Sequence, residues 1–209
     1  MTLQSARPRR ARRVTPRIGY EEFLATAYEN EHREWVNGKV IEMPPVSDEH
    51  ADVNGYLIAL VRFYAEARNL GVVRAEPFQM KTGPELPGRA PDLLFVANEN
   101  LPRLQKNFLD GPADLAVEII SPESRTRDRG EKFYEYEAGG VREYWLLDPI
   151  RKQAEFYQRD ANGIFQLVPP DADGVYHSAV LPGLWLRVAW LFLRPLPPLL
   201  DVLRAWKLV

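Results

Sequence analysis

Two acidic residues stand where apolar strands would not ordinarily keep them. Asp92 opens the run DLLFVA over 92–97, and Glu118 lies inside ADLAVEII over 113–120. A buried lone carboxylate is costly unless it is hydrogen-bonded, protonated or bound to a cation. If the two strands lie side by side, their acids converge on one point. Carboxylate oxygens are hard ligands suited to Mg2+ or Mn2+, ions that keep several waters. Such an ion lowers the pKa of a bound water and neutralises charge on a scissile phosphate. For either acid alone the competing interpretation is a strand-end residue held by a backbone N–H or an arginine. The pair, taken with a lysine downstream, favours the cation site.

That lysine is Lys132, four residues after Asp128 and four before Tyr136, so the three share one face of a helix expected over 127–138. Its stem, about 6 Å long, can reach back over the end of the preceding strand. The spacing alone favours an exposed Asp–Lys pair worth about 0.2–0.5 kcal/mol. Tyr136 reads as a core residue.

The elements that must position these groups follow from the pattern of the chain. Helical spacing runs through YEEFLATAYEN over 20–30. Asn37-Gly38 separates two alternating runs, the strongest short-range hairpin signal. Ser47 can cap a long helix over 48–69, with Val53, Tyr56, Leu57, Leu60, Val61 and Tyr64 on its apolar face and Gly71 ending it. Strands are expected over 72–81, 92–97 and 113–120, with a loop of about fifteen residues between the last two. The helix over 127–138 stops at Gly139-Gly140, VREYWLLD over 141–148 is a buried strand, and 154–168 forms a hairpin. The end of the chain, with a helix near 198–207, covers one face. This order predicts an α/β fold, a mixed β-sheet flanked by helices.

Bulk properties bound the function. The 209 residues contain no cysteine, which excludes disulfides, thiolate zinc sites and cysteine nucleophiles and fits a cytoplasmic protein. The net charge of −2 hides an asymmetry: residues 1–17 carry six arginines and no acid, leaving 21 basic against 29 acidic residues elsewhere, a net of −8. The tail over 1–17 reads as disordered, with a nucleic-acid arm as the other interpretation, and 18–209 as one domain. No apolar stretch follows the arginines, as a secretory signal would require. LWLRVAWLFL over 184–193 is broken by Arg187 and is too short to span a bilayer.

Pro91-Asp92 followed by Glu118-Ile119-Ile120 resembles the PD-(D/E)xK nuclease motif, proline-aspartate and then acid-x-lysine on the next strand. REWVNGKVIEMPP, His50, APDLLFV, GPADLAVEIISPESR, the spaced Asp128, Lys132 and Tyr136, and GVREYWLLDP together are similar to the Uma-type family of restriction endonuclease-like proteins. The similarity runs over 20 to about 195. It implies a restriction endonuclease-like fold and a Mg2+-dependent (or Mn2+-dependent) endonuclease hydrolysing phosphodiester bonds in double-stranded DNA, working as a homodimer. Asp92 and Glu118 would hold the ion, with Glu34 completing its shell, although a surface acid beside Arg33 is an equal interpretation of Glu34. His50 would face the phosphate or simply sit in the first turn of its helix. Ile120 departs from the motif because it cannot hydrogen-bond a water, and the resemblance assigns the lysine's role to Lys132.

Arg125, Arg127, Arg129 and Lys132, with Arg103 and Lys106 in the preceding loop, offer a phosphate-binding patch. Nothing in the sequence reads bases. The rival interpretation is a non-catalytic interaction or nucleic-acid-binding module on the same fold, supported by Ile120 and the acidic balance. A hydrolase using Ser121 or Ser124 lacks the glycine pattern of a nucleophile elbow.

Overall fold

The computed structural model describes residues 17–26 and 31–209. The basic tail, apart from Arg17, and the last turn of the expected first helix lie outside these residues. In chain order the elements are α1 (Tyr20–Thr26), β1 (Arg33–Val36), β2 (Lys39–Glu42), α2 (Asp48–Ala67), β3 (Gly71–Ala75), β4 (Gln79–Lys81), β5 (Gly88–Arg89), β6 (Leu93–Ala97), β7 (Phe108–Asp110), β8 (Leu115–Ile119), α3 (Lys132–Gly139), β9 (Glu143–Asp148), β10 (Gln153–Arg159), β11 (Phe165–Leu167), β12 (Val175–His177), β13 (Trp185–Arg187) and α4 (Leu199–Ala205).

The central sheet has six strands in the order β11-β10-β9-β8-β6-β3. It is mixed: β8 and β9 run parallel, while β6 pairs antiparallel with both β3 and β8. Alternation along its central strands separates two cores. Leu93, Phe95, Leu115, Val117, Trp145 and Leu147 join the face packed on α2 and α4. Leu94, Val96, Ala116 and Leu146 join the opposite face, where Tyr136 of α3 packs. The predicted mixed sheet between helices is therefore the architecture found. The strands divide further: a second sheet, β2-β1-β5-β4-β7, and a two-stranded ribbon, β12-β13, lie outside the central one.

Local chemistry explains the elements. The β1–β2 hairpin turns on Asn37 and Gly38 at φ 52° and 81°, the double positive-φ geometry that Asn-Gly adopts readily. The Ser47 hydroxyl accepts the His50 N–H at 3.2 Å, capping α2. That helix ends at Arg68 and at Asn69 in the left-handed region, not at Gly71. Gly71 instead opens β3, where a Cβ would collide with the Val96 carbonyl.

Two expectations are corrected. The strand expected over 72–81 is two strands, β3 and β4, belonging to different sheets and broken at Glu76-Pro77. Pro77 has no N–H to give a ladder, so the chain leaves one sheet there for the other. The loop expected between β6 and β8 contains a 3₁₀ turn, Asn98–Arg103, and β7, which pairs parallel with β4. A three-residue strand carries too little periodicity to be read from sequence.

Candidate functional site

Antiparallel pairing of β6 with β8 sets Leu93 opposite Val117, so Asp92 and Glu118, one step further on each strand, belong to one end of the sheet. Both acids line a cavity of about 1030 Å³ together with Glu34, His50, Asp128 and Lys132. The structure thus brings all five predicted site residues, Asp92, Glu118, Lys132, Glu34 and His50, to one cavity, each at most 6% exposed.

Asp92 is held from two sides. Its Oδ2 accepts the Ile119 N–H at 2.5 Å, and its Oδ1 lies 3.1 Å from His50 Nε2. His50 is on the first turn of α2, so the Ser47 cap fixes where its ring enters the cavity. Burial pulls the imidazole pKa down, but the hydrogen bond and charge of Asp92, with Glu76 and Asp128 behind it, raise it overall.

Glu118 faces the other way. Its Oε2 lies 2.8 Å from Lys132 Nζ, and its Oε1 accepts the Tyr136 hydroxyl at 2.7 Å. Burial drives its pKa well above the ordinary carboxyl value; Lys132 opposes this, and the charges of Asp128, Asp92 and Glu34 add to it. Lys132 reaches back over the strand end as its spacing suggested, and meets three carboxylates: Glu118, Glu34 Oε1 at 3.1 Å and Asp128 Oδ1 at 3.6 Å. Burial favours the neutral amine, but these three anions outweigh it and raise the ammonium pKa.

The placement of Lys132 depends on an unusual turn. Arg127–Glu131 is π-helical and runs directly into α3, its last bond made by the Lys132 N–H to the Arg127 carbonyl. The expected helix over 127–138 is therefore wider in its first turn. One-turn π segments of this kind recur at functional sites.

Glu34 is engaged on both oxygens. Oε2 accepts from Arg89 at 2.8 Å, while Oε1 faces Lys132 and the Ala90 N–H. Burial raises its pKa, but Lys132 and Arg89 together hold it below the usual carboxylate range. Arg89, 1% exposed, also binds Glu135 through Nε at 2.7 Å and through a second nitrogen at 2.8 Å. This clamp ties β1 and β5 to α3. Sequence inspection passed over Arg89, because a buried arginine has no pattern of its own.

Three donors converge most tightly elsewhere. Among the described residues, the ligand atoms of His50, Glu76 and Asp92 all lie within 4.8 Å of one another. Glu76 was missed because the 72–81 run reads as one strand; the break at Pro77 is what brings it to the cavity. Two further atoms on the cavity wall, His50 Nδ1 and Asp128 Oδ1, are buried without a hydrogen-bond partner. A nitrogen and several carboxylates around polar atoms left unsatisfied fit a hydrated divalent cation.

The expected basic patch is mostly spent on protein acids. Arg125 pairs with Asp148 at 2.9 Å, Arg129 with Glu155, and Lys132 is 2% exposed. Arg127 of the expected patch does line the cavity, joined by Lys152 and Arg194, while Arg103 is turned to the Pro112 carbonyl at 3.4 Å.

A solved structure from Anabaena variabilis, described as a "putative nuclease belonging to DUF820", superposes with a TM-score of 0.68 over 84% of this chain and 97% of that one, at 18% identity. At that identity the likeness establishes the fold. No curated protein matches the chain. Residues 20–189 match the family described as "Uma2: Putative restriction endonuclease", the span that contains Glu34, His50, Glu76, Asp92, Glu118, Asp128 and Lys132. By that match the chain belongs to the Uma2 family of restriction endonuclease-like proteins.

Proposed function

We propose that this protein is a divalent-metal-dependent endonuclease that hydrolyses phosphodiester bonds in double-stranded DNA. The observation that carries the reading is the Glu118–Lys132 contact, 2.8 Å long and buried, beside the Asp92 carboxylate. An acid-and-lysine pair next to a cation-binding acid is the equipment such a hydrolysis needs, and here the lysine comes from α3 because Ile120 occupies the strand position.

Asp92 would hold the ion, Mg2+ or Mn2+, which when bound polarises the phosphate and acidifies a water. The other groups act through their own chemistry. Glu118, whose burial makes its carboxylate a stronger base while Lys132 beside it supports the charged form, is suited as the carboxylate to take a proton from the attacking water. Lys132 stays charged among its three anions and can face the negative charge that develops on the phosphate oxygens. Tyr136 fixes the Glu118 carboxyl through its hydroxyl, so that one oxygen remains directed to Lys132. Glu34, foreseen as a ligand, has both oxygens committed to cations and the Ala90 N–H, and we give it the role of holding Lys132 in place. Arg127, Lys152 and Arg194 on the cavity wall would contact flanking phosphates. Cutting both strands of a duplex would take two copies of the chain.

The test is plasmid nicking in Mg2+ or Mn2+ with an EDTA control. Glu118→Gln and Lys132→Arg, both folded by circular dichroism, should each lose on the order of 10²-fold or more in rate. Arginine keeps the charge but not its position. Wild-type rates in Lys132→Arg would defeat the assignment of the lysine. A wild type silent with every ion on DNA and RNA would favour the non-catalytic module.

A further inference from the structure

The notable feature of the cavity is that its tightest donor group contains a nitrogen. We infer that His50, Glu76 and Asp92 form one cation centre that selects Mn2+ over Mg2+. The inference rests on reading this cavity as a metal site and adds which side chains hold the ion and which ion they prefer.

Geometry supplies the first support. The three ligand atoms fall within 4.8 Å of one another, and His50 Nε2 lies 3.1 Å from Asp92 Oδ1. Adjacent ligands of an octahedral ion with bonds of about 2.1 Å stand ~3 Å apart, so that separation is the edge of a coordination sphere.

Orientation supplies the second. Asp92 has its Oδ2 tied back by the Ile119 N–H, which leaves Oδ1 toward the ring. Glu76 has its Oε2 held by His32 Nδ1 at 3.3 Å. Outer partners of this kind aim ligands at an ion. The three residues also come from three separate places: the capped turn of α2, the break between β3 and β4, and the entry to β6.

An independent observation points to what else the site takes. Asp128 is 1% exposed and lines the same cavity, yet its Oδ1 has no hydrogen-bond partner. Its nearest cations, Lys132 and Arg127, stand 3.6 and 3.7 Å away. Those two cations balance its charge, but neither is close enough to give the oxygen a hydrogen bond. Waters carried by a hydrated cation are donors, and one of them would satisfy it.

Ligand type decides the ion. Mg2+ dehydrates reluctantly and prefers oxygen, whereas an imidazole nitrogen adds affinity for first-row transition ions. A one-nitrogen, two-carboxylate set therefore favours Mn2+ among the two ions that serve phosphoryl chemistry. Glu118 is not needed in the shell, which agrees with its engagement by Lys132 and Tyr136.

The experiment titrates MnCl2 and MgCl2 separately into the full chain by calorimetry, with the free Mn2+ signal followed by electron paramagnetic resonance. Wild type should bind Mn2+ about tenfold or more tighter than Mg2+. Glu76→Gln and His50→Gln should each weaken Mn2+ by about tenfold or more, and His50→Gln should also remove the preference for Mn2+, which a merely structural histidine would not do. Equal affinity for the two ions in wild type, or undiminished Mn2+ binding by Glu76→Gln, overturns the inference.

If a variant unfolds, the wild type still answers. The chain has three histidines, and Mn2+ should broaden the imidazole resonances of His50 and neighbouring His32 while sparing His177, which faces Asp171. Uniform sharpness would be decisive against the site. Tight Mn2+ binding through these residues without cleavage of any nucleic acid would retain the centre and defeat the nuclease reading. Mg2+-driven cleavage sensitive to Lys132→Arg but not to Glu76→Gln would do the reverse.

Discussion

Lys132 neutralises three buried acids at once, so removing it differs from removing a surface charge. Lys132→Met removes the cation shared by Glu34, Glu118 and Asp128, leaving Glu34 with Arg89 and Asp128 with Arg127. Losing one partner of a buried ion pair typically costs about 3–5 kcal/mol, part of which is regained if one carboxyl takes up a proton. Urea unfolding of this variant at neutral pH should show a loss of that order; a change below about 1 kcal/mol, as for an exposed pair, would mean the cluster is solvated. Tyr136→Phe is gentler: it deletes one hydrogen bond to a buried carboxyl and should cost about 1–3 kcal/mol by the same measurement. Acid stability belongs to this scale too. Glu34 has a folded-state pKa held below its usual 4.5, so its contribution is present above that pH and disappears as the pH falls through the lowered value. The urea midpoint should therefore decline below about pH 4.5, and less steeply in Glu34→Gln. Equal slopes would remove Glu34 from the account of acid unfolding.

At the scale of elements, α3 must sit at one height on the sheet for Lys132 to meet Glu118. Its far end, Gly139, lies against Thr82 after β4, and a Cβ there would overlap the threonine side chain. Gly139→Ala should therefore destabilise the protein by about 1–3 kcal/mol, although alanine favours helices in isolation. Thermal melting decides this; a stabilised variant would show that α3 can shift freely. The elements also show what sequence can convey. The β1–β2 hairpin and the capped α2 were legible because Asn-Gly and Ser47 act within a few residues of themselves. Asp92 and Glu118 were legible because acids contradict their apolar strands. Glu76 was not, since its meaning lies in a change of sheet at Pro77 that depends on both sheets being present. Arg89 was hidden for the same reason, since its partners Glu34 and Glu135 are remote in the chain.

For the whole molecule, the two cores share the six-stranded sheet, and we propose that residues 18–209 unfold as one unit. A single melting transition seen alike by tryptophan fluorescence and far-ultraviolet circular dichroism is expected, and two separable transitions would count against it. A saturating divalent ion should raise the midpoint, because an ion bound only by the folded state at 100 times its Kd adds about 2.7 kcal/mol. EDTA should return the midpoint to its starting value. No helix among the described residues is long and apolar enough to cross a membrane.

The parallel pairing of β8 with β9 also has a consequence for the protein while it is being made. Glu34, His50, Glu76, Asp92, Glu118 and Lys132 emerge from the ribosome in that order, and β8 gains its second sheet neighbour only when 143–148 have followed. Until then the strand bearing Glu118 is an unpaired edge. A nascent chain stopped at Gly140 contains every residue of the cluster yet lacks the strand that fixes one of its walls. Such a fragment should bind Mn2+ more weakly than the finished chain, so the site would be completed only late in synthesis.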